Sequence, residues 1–427
     1  MADELAAVVM AAGIGTRMKS ATPKHLHPVL GRRMVDWVVD AARGAGVERL
    51  VVVASPQTSG LLEDVEVVVQ EEPLGTGDAV RCARSALEGF DGDVLVLNGD
   101  VPALRPETIR ALVDTHRASD AAATVLSFEP SDAGAYGRIV RDGDGRLARI
   151  VEAGDASGDE LALREVNSGI YVFKAQQLWP ALERLDAHNA QGELYVTDTL
   201  GALVTEGERC AVQLAEDPLE AEGVNTRAEL ALAAASLRDR INEAHMLAGV
   251  TIVDPGSTWI EAGVEIEADV VVHPYTVIRG GVRIESGAEI GPFAYVRPVS
   301  VIGEGAKIGT FVEVKNAAVG AGAKIPHLSY IGDAEVGDGS NVAAGNITAN
   351  FKHQPGEPKA RTRIGRNVRT GVDTVFDAPV EIGDDAWIAA GSVIADDVPP
   401  GSLAGFPPRQ TTKEGWVYEK HGKPDGD

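Results

Sequence analysis

The sequence predicts two domains of different fold class: an α/β domain with an open, mostly parallel sheet, followed by a parallel β-helix of hexapeptide repeats. In the first half, short apolar runs alternate with helical segments, and glycine-rich or polar motifs follow the ends of these runs. In the second half, aliphatic residues recur every six positions. An even period fits extended chain and does not fit a helix of 3.6 residues per turn.

The composition indicates an acidic globular protein. The 427 residues, 44% of them hydrophobic, suffice for two or three domains with cores of their own. The net charge of −25 disfavours nucleic acid and anionic membranes as partners. No apolar run approaches the roughly 20 residues of a membrane span, the acidic start does not resemble a signal peptide, and two cysteines make no disulfide framework. We therefore expect a cytoplasmic protein that acts on small molecules.

The first motif follows the apolar run 5–9, which predicts a buried strand, and reads Met-Ala-Ala-Gly-Ile-Gly-Thr-Arg-Met. Gly13 and Gly15 allow the main chain to approach an anion closely. Arg17 and Lys24 supply the positive charge that phosphoryl or nucleotidyl transfer needs. The spacing fits neither a Walker loop nor a dinucleotide-binding fingerprint. A glycine turn with a basic residue is, on its own, often only a connection between a strand and a helix.

Further motifs follow the next predicted strands. An amphipathic helix is predicted over 34–42, and the β-rich runs are 50–54, 65–70 and 94–97. Gln70 opens a polar segment that leads into a helix predicted to continue to Leu87, and the string Asn-Gly-Asp ends at Asp100. Ligands of open α/β sheets bind at the carboxyl ends of the strands, where all these motifs fall. Asp100 offers an oxygen ligand for Mg²⁺, although a lone Asp after a strand is more often a turn former.

The opening string, with the Pro-Lys and Leu-His-Pro that follow it, resembles the signature of sugar-1-phosphate nucleotidyltransferases, and among them the N-acetylglucosamine-1-phosphate uridylyltransferases. The resemblance implies a Rossmann-like domain and continues through five further segments to the Gly-Val-Asn-Thr string at 223–226. The implied reaction is in-line attack by the phosphate oxygen of N-acetylglucosamine 1-phosphate on the α-phosphorus of UTP, with pyrophosphate leaving.

The same resemblance implies the site residues of this first domain. Arg17 and Lys24 are the implied catalytic cations, and Asp100 and Asn225 the implied Mg²⁺ ligands. The implied nucleotide-binding residues are Ala11, Ala12, Gly13, Lys24, Gln70, Gly75 and Thr76, the last three reading uracil. The implied sugar-phosphate-binding residues are Gly137, Glu152, Asn167, Tyr195, Thr197 and Asn225.

A connecting helix is predicted over 227–247, which contains no Gly or Pro. It gives the predicted boundaries 1–226 for the first domain, 227–249 for the linker helix, and 250–427 for the repeat domain with its tail. Nine aliphatic residues then follow at equal spacings of six: Ile266, Val272, Ile278, Ile284, Ile290, Val296, Ile302, Ile308 and Val314. At about 18 residues per coil there is room for about eight stacked coils. An ordinary β-sandwich is the alternative, which nine residues at equal spacing disfavour.

The repeat domain resembles hexapeptide acyltransferases, and within them the glucosamine-1-phosphate acetyltransferases, which implies a left-handed helix, a homotrimer and acetyl-CoA as donor. His327 is the implied catalytic base, and a neutral imidazole can accept the proton of an attacking amine, although an isolated His at a coil corner is more often a surface residue. The implied contacts to glucosamine 1-phosphate are Arg297, Lys315, Tyr330 and Asn341. Those to acetyl-CoA are Ala344, Asn350, Phe351, Lys359, Ala390 and Arg409.

The chain as a whole resembles bifunctional enzymes that make UDP-N-acetylglucosamine, with departures in the second site. The segment 350–359 is longer than the family's Asn-Tyr-Asp-Gly loop, Phe351 replaces a tyrosine, and Val372 replaces a serine. These departures leave the amino sugar open. One alternative is another sugar 1-phosphate or nucleotide, such as dTTP with glucose 1-phosphate, which Gln70 and Glu152 disfavour. Another is a non-catalytic trimeric subunit that senses sugar nucleotides, which the retained cations and metal ligands disfavour.

Overall fold

The computed structural model describes residues 4–62, 64–351, 358–405 and 410–421. The chain divides into two compact units, Met1–Leu237 and Arg238–Asp427. The division falls inside a helix, so the boundaries 226 and 249 stay a prediction. Among the described segments, no helix combines the length and the apolar character needed to cross a membrane.

The first unit is an α/β unit with a mixed sheet. Its strands are β1 Leu5–Ala11, β2 Pro28–Val29, β3 Arg32–Arg33, β4 Arg49–Ala54, β5 Glu66–Val69, β6 Asp93–Asn98, β7 Ala123–Phe128, β8 Arg138–Arg141, β9 Leu147–Val151, β10 Val166–Lys174 and β11 Cys210–Leu214. Its helices are α1 Met34–Gly44, α2 Thr76–Cys82, α3 Pro106–Ala118, α4 Gly158–Leu161, α5 Ala175–Leu182 and α6 Thr197–Thr205, and α7 Arg227–Leu247 crosses into the second unit. Short 3₁₀ turns lie at Thr16–Met18, Lys24–Leu26, Ser59–Leu61, Ser85–Leu87 and Pro218–Glu220.

The strand order of the main sheet is β11-β7-β10-β6-β1-β4-β5. Neighbours pair in parallel except β10, which runs antiparallel to both β6 and β7. All seven residues of β1 are buried, since apolar layers cover both faces of the sheet. The register aligns Met10 with Asn98 and Ala11 with Ala54. The carboxyl ends of β1, β4 and β6 therefore meet at one edge, where the sequence motifs begin.

The second unit is a parallel β-helix with three faces. Face 1 contains Thr251–Ile252, Val271–Val272, Glu289–Ile290, Lys307–Thr310 and Lys324–His327. Face 2 contains Trp259–Ile260, Val277–Ile278, Tyr295–Val296, Glu313–Lys315, Tyr330–Gly332, Ile347–Ala349, Val375–Asp377 and Val393–Ile394. Face 3 contains Glu265–Ile266, Arg283–Ile284, Val301–Ile302, Ala318–Val319, Ala334–Val336, Thr362–Ile364 and Val380–Ile382. Trp387–Ile388 pairs with Leu403–Ala404, and a final helix, α8, spans Trp416–His421.

The six-residue period predicted from the sequence is confirmed by the strand register. On face 2, Ile260, Ile278, Val296 and Val314 align at intervals of 18 residues, and their side chains are buried in one column. The next interval, from Val314 to Ile331, is 17 residues. The interval from Ile347 to Val375 is 28 residues, and the segment that is longer than in the resembling family lies within it. Within the described residues, face 2 has eight strands, which matches the predicted number of coils.

Candidate active sites

Four of the predicted residues of the first unit form one polar cluster. The ammonium group of Lys24 pairs with the carboxylate of Asp100 and donates to Asn225 Oδ1 at 2.9 Å. Arg17 Nη2 donates to the same Asn225 oxygen at 2.8 Å. The Lys24 and Asp100 side chains are 12% and 13% exposed, so their attraction is weakly screened by water. The structure thus brings both predicted catalytic cations to both predicted metal ligands.

The glycine loop permits this arrangement by letting Lys24 approach. Gly15 has φ +72°, and a Cβ atom built on it would lie 2.4 Å from Lys24 Cβ. Two carbon atoms that are not bonded to each other cannot lie this close, so a side chain at position 15 would displace Lys24. Gly15 is therefore required both for its left-handed backbone and for the space above it.

Asn225 is fixed by the start of helix α7. Glu229 accepts hydrogen bonds from the backbone N–H groups of Asn225 (2.6 Å) and Thr226 (3.1 Å), and Glu229 N donates to Thr226 Oγ1 at 3.2 Å. This reciprocal pair is a capping box, which satisfies donors that the first turn of a helix leaves free. Val224 N also donates to the Asp100 carbonyl at 2.9 Å. The two predicted metal ligands are therefore held by backbone as well as side-chain contacts.

The donor set of the cluster fits Mg²⁺. Asp100 offers carboxylate oxygens and Asn225 an amide oxygen, and both contact the same ammonium group. Mg²⁺ prefers hard oxygen ligands and usually keeps waters and substrate phosphates in the rest of its shell. Two protein oxygens are therefore a suitable number for an ion that a nucleotide brings with it.

Two cavities adjoin this cluster. Cavity 1 has a volume of about 530 Å³ and extends over Tyr136, Glu152 and Asn167. Cavity 2 has a volume of about 430 Å³ and extends over the glycine loop and Gln70. Both are lined by Met10, Arg17, Thr76, Asn98, Asp100 and Asn225. The cluster therefore lies where two neighbouring ligands would meet.

Gln70 and the Gly75-Thr76 turn line cavity 2, and they follow β5, the last strand on this side of the sheet. The buried Gln70 side chain donates through Nε2 to the Gly75 carbonyl (3.1 Å) and to Asp78 Oδ2 (2.8 Å). Because both partners are acceptors, the amide orientation is fixed, and Oε1 remains available as an acceptor. Gly75 has φ +117° and packs closely on Leu194, since a Cβ atom built on Gly75 would lie 2.5 Å from the Leu194 carbonyl oxygen. The Thr76 hydroxyl accepts from Val196 N at 3.0 Å, so it fastens the turn to the opposite loop.

Glu152 is one of the charged groups that line cavity 1. It accepts a hydrogen bond from Thr197 Oγ1 at 3.1 Å, and burial raises the pKa of its carboxyl group. Asn167 lies across the cavity, where its Nδ2 donates to the Tyr171 hydroxyl at 2.8 Å. A register shift between Asn167 and Tyr171 interrupts the pairing of β10 with β7. This irregularity is a bulge in β10, and it contains Gly169 at φ +76°. Such bulges redirect side chains, which explains why a polar residue of a central strand reaches the cavity.

The structure places other predicted residues differently. Tyr195 does not border either cavity: its hydroxyl is buried and has no hydrogen-bond partner among the described residues, and burial raises its pKa to about 12. Ala11 is buried as the last residue of β1, whereas Ala12 and Gly13 line cavity 2.

Sequence reasoning missed Asn98, which lines both cavities and donates through Nδ2 to the Ser168 carbonyl at 3.1 Å. Its place at the end of β6, beside the end of β1, was the signal that could have found it. The reasoning also missed His25, which lines cavity 2 next to Lys24.

The predicted residues of the second unit fall on two corners of the β-helix. At the end of face 2, Arg297 Nη1 donates to Glu313 Oε1 at 2.8 Å, and Lys359 lies against Lys315, whose pKa is lowered by Lys359 and by burial. Asn350 Nδ2 donates to the Tyr330 hydroxyl at 3.2 Å. Lys315 therefore lies among cations, with Lys359 in contact and Arg297 near enough to lower its pKa as well, and such a group is suited to a phosphate.

The corner between faces 1 and 2 carries the other group. His327 is exposed at the end of its face 1 strand, opposite Thr310 of the preceding coil. Ala344 and Ala390 occupy the same corner in later coils. Backbone hydrogen bonds join these coils there: Asp373 N donates to the Ala344 carbonyl and Gly391 N to the Val372 carbonyl, both at 2.8 Å. Asn341 lies on face 1 between Lys324 and Arg369. Phe351 is 65% exposed, and Arg409 lies outside the described residues.

An exposed apolar stripe runs along this corner in the earlier coils. It consists of Tyr275, Phe293, Phe311 and Leu328, each with a positive φ and each 46–62% exposed. The three rings stack at centroid distances of 4.9 and 5.2 Å. The stripe ends directly beside His327.

Comparison with known proteins finds relatives over nearly the whole chain. The family model of the MobA-like NTP transferase domain matches residues 7–205, and that of the bacterial transferase hexapeptide (six repeats) matches 281–316. Proteins named bifunctional protein GlmU are 45% identical in Corynebacterium aurimucosum and 46% in Streptomyces coelicolor, in both cases over 97% of this chain and 94% of theirs. The protein of that name from Geobacter sulfurreducens is 43% identical over 98% of this chain and 99% of its own. The matches agree with the fold observed in each unit, a mixed Rossmann-like sheet and then a left-handed β-helix of hexapeptide repeats.

Proposed function

Since the chain belongs to the GlmU family of bifunctional proteins, we propose a role for each of its two sites in the synthesis of UDP-N-acetylglucosamine. The chain is an enzyme with a uridylyltransferase activity and an acetyltransferase activity, and the two kinds of domain fit these two reactions. The acetyl group passes from acetyl-CoA to glucosamine 1-phosphate. The product, N-acetylglucosamine 1-phosphate, then takes the uridylyl group of UTP.

The nucleotide binds in cavity 2. Gln70 Oε1, which its own hydrogen bonds leave available, accepts the N3–H of uracil. The Gly75-Thr76 turn lies against the base, and Ala12 and Gly13 lie beside the phosphates. Thymine has the same N3–H, so this contact alone does not separate UTP from dTTP.

The sugar phosphate binds in cavity 1. Glu152 and Asn167 supply acceptors and donors for hydroxyl and acetamide groups, while Gly137 leaves space, since a Cβ there would lie 3.3 Å from Glu152 Oε2. Thr197 keeps Glu152 in place through its 3.1 Å hydrogen bond. The sugar phosphate then faces the polar cluster that both cavities share.

The chemical step needs positioning and charge neutralisation. A phosphate oxygen of the sugar forms a bond to the α-phosphorus while the bond from that phosphorus to the β-phosphate oxygen breaks, and pyrophosphate leaves. Arg17 and Lys24 neutralise the charge on the transferring and leaving groups. Asp100 and Asn225 hold Mg²⁺, which stabilises the negative charge of the phosphates when bound.

In the β-helix, Arg297 and Lys315 bind the phosphate of glucosamine 1-phosphate. Lys359, which the resemblance assigns to acetyl-CoA, lies against Lys315, so it can contribute charge to the same phosphate. The imidazole of His327 accepts a proton from the amine as its nitrogen attacks the thioester carbon. The C–N bond forms, the C–S bond breaks, and the thiol of CoA leaves. Ala344 and Ala390, on the corner that carries His327, border the CoA chain.

The match to the hexapeptide repeat supports oligomerisation, and we propose a homotrimer that works in the cytoplasm. The stripe of Tyr275, Phe293, Phe311 and Leu328 supports this assembly, since stacked exposed rings beside a site are typical of a surface that another chain covers. Sedimentation should give a mass of three chains, and a monomeric mass would contradict the assembly.

The shared cluster of Arg17, Lys24, Asp100 and Asn225 carries the proposal for the first site. Two assays test the two activities separately. Mg²⁺-dependent pyrophosphate release should be faster with UTP and N-acetylglucosamine 1-phosphate than with dTTP and glucose 1-phosphate. Binding of UDP-sugar without any such release would instead indicate a sensing subunit. Release of thiol from acetyl-CoA by glucosamine 1-phosphate, without UTP and with galactosamine 1-phosphate as competitor, tests the second site and its amino sugar.

A further inference from the structure

His25 holds an unusual place in the wall of cavity 2. It lies in the 3₁₀ turn Lys24–Leu26 and is only 6% exposed. Its ring is inserted between two loops: a Cβ on Gly13 would lie 3.6 Å from its Cε1, and a Cβ on Gly99 would lie 3.2 Å from its Cδ2. These two ring carbons flank Nε2. Nε2 therefore faces the gap between the glycine loop and the loop that carries Asp100.

The two ring nitrogens have different surroundings. Nδ1 is buried and has no hydrogen-bond partner among the described residues, whereas Nε2 lies between the two ring carbons that face Gly13 and Gly99, and it is not among the buried atoms without a partner. Burial, together with the Lys24 charge, lowers the pKa of His25 to about 4 against the opposing effect of Asp100, so the ring is neutral at pH 7. A neutral imidazole carries one N–H group.

The position of that N–H follows from the cost of burial. A proton on Nδ1 would bury a donor that has no acceptor, which is unfavourable. A proton on Nε2 leaves only a lone pair buried and presents a donor to the cavity. The surroundings of the ring therefore favour the Nε2–H tautomer.

We propose that His25 donates a hydrogen bond from Nε2 to a phosphate oxygen of the bound nucleotide. This inference rests on the proposed function of cavity 2. Phosphate oxygens accept hydrogen bonds, and His25 lines cavity 2 together with the groups proposed to hold phosphates: the glycine loop, Arg17 and Lys24. A neutral donor adds a directional contact in a place where a third positive charge would repel Lys24.

The test compares two substitutions of similar volume. His25→Leu removes the donor, whereas the amide nitrogen of His25→Gln reaches about as far as Nε2 and restores it. Calorimetric titration with UTP and Mg²⁺, without sugar phosphate, should show affinity about tenfold weaker for His25→Leu, as expected for a hydrogen bond to a charged acceptor. His25→Gln should bind within about threefold of the wild type. Acetyl transfer, in the other unit, should stay unchanged in both variants and shows that the second unit is intact.

Unchanged UTP affinity in His25→Leu would overturn the proposal. Equal weakening of UTP binding in both variants would also overturn it, because the shape of the His25 side chain, and not its hydrogen-bond donor, would then decide the affinity. Uridine as competitor carries no phosphate and should bind wild type and His25→Leu alike; a tenfold difference would place the contact on the nucleoside and also overturn it. Should His25→Leu fail to fold, His25→Met gives the same comparison. Failure of the wild type itself to bind UTP would contradict the function of cavity 2 instead.

Discussion

Lys24 Nζ donates to Asn225 Oδ1 at 2.9 Å, although 201 residues separate the two in sequence. Arg17 shares the same oxygen, and Lys24 also pairs with Asp100. The cations proposed to bind phosphates thus hold the proposed metal ligands close together. The cluster is therefore formed in advance of binding, which lowers the cost of ordering it during the reaction.

The substitution Gly15→Ala should impair uridylyl transfer by displacing Lys24. The new Cβ would lie 2.4 Å from Lys24 Cβ, so the lysine backbone or the loop must move. A displacement of about 1 Å in such a site costs on the order of 100-fold in rate. We expect that loss in kcat/KM for pyrophosphate release, with acetyl transfer unchanged.

Gly89→Ala is the matched control for backbone strain. Gly89 has φ +77°, close to the +72° of Gly15, but a Cβ built on it meets nothing within 4 Å. Both variants pay about 1 kcal/mol for a left-handed alanine, whereas only Gly15→Ala shifts the catalytic lysine. Equal activity in the two variants would show that the contact with Lys24 is unimportant.

The substitution Asp100→Ala should abolish uridylyl transfer alone. It removes a proposed metal ligand and leaves the Lys24 ammonium without its partner carboxylate. Stabilisation of charge by a bound metal is worth several kcal/mol, so we expect a loss of 100-fold or more, roughly. Pyrophosphate release measured over a Mg²⁺ series is the assay. Loss of acetyl transfer in the same folded variant would contradict the assignment of the two activities to separate units.

The substitution His327→Ala should have the converse effect. Removal of a general base slows the reaction by about 100- to 10,000-fold, and His327 is exposed, so the fold should tolerate the change. Thiol release from acetyl-CoA should fall by this amount, while pyrophosphate release stays at the wild-type rate. A nearly unchanged thiol release would show that another group, or water, accepts the proton.

The architecture was predictable from local pattern, since period and turn chemistry are local properties. Ile278 and Val296 recur at the spacing that the coil requires, and the strand before Gly13 is apolar throughout. Long-range packing was not predictable. The helix predicted to continue to Leu87 ends at Cys82 and resumes as a 3₁₀ turn. Tyr195, expected at the sugar, has its hydroxyl buried away from the cavity.

The same limit applies to His25 and Asn98. The position of each is decided by what lies across the sheet edge: Gly13 and Gly99 around the His25 ring, and Ser168 opposite the Asn98 amide. Neither neighbour set can be inferred from spacing along the chain. Lys315 and Lys359 illustrate the point in the β-helix, since a segment whose length differs from the resembling family still brings the second lysine to the first.

The last prediction concerns the cost of keeping Glu152 ionised inside cavity 1. Burial raises the pKa of its carboxyl group above the ordinary value, with the Thr197 hydrogen bond opposing the shift. Between the ordinary pKa, about 4.3, and the raised value, the folded chain binds a proton more tightly than the unfolded chain. The free energy of unfolding therefore falls as the pH rises across that interval, and it stays lower at pH 7.

Glu152→Gln removes this charge and keeps an oxygen that can accept from Thr197. Thermal unfolding of the first unit at pH 7 should shift to higher temperature in the variant, and the difference should vanish below about pH 4, where the wild-type carboxyl is protonated in both states. The KM for N-acetylglucosamine 1-phosphate should rise about tenfold, because sugar hydroxyls lose a charged acceptor, while the KM for UTP stays unchanged. A variant that is no more stable than wild type at pH 7 would show that the ionised carboxyl group does not destabilise the fold. A variant that binds the sugar phosphate as well as wild type would show that the carboxylate is not needed for sugar binding.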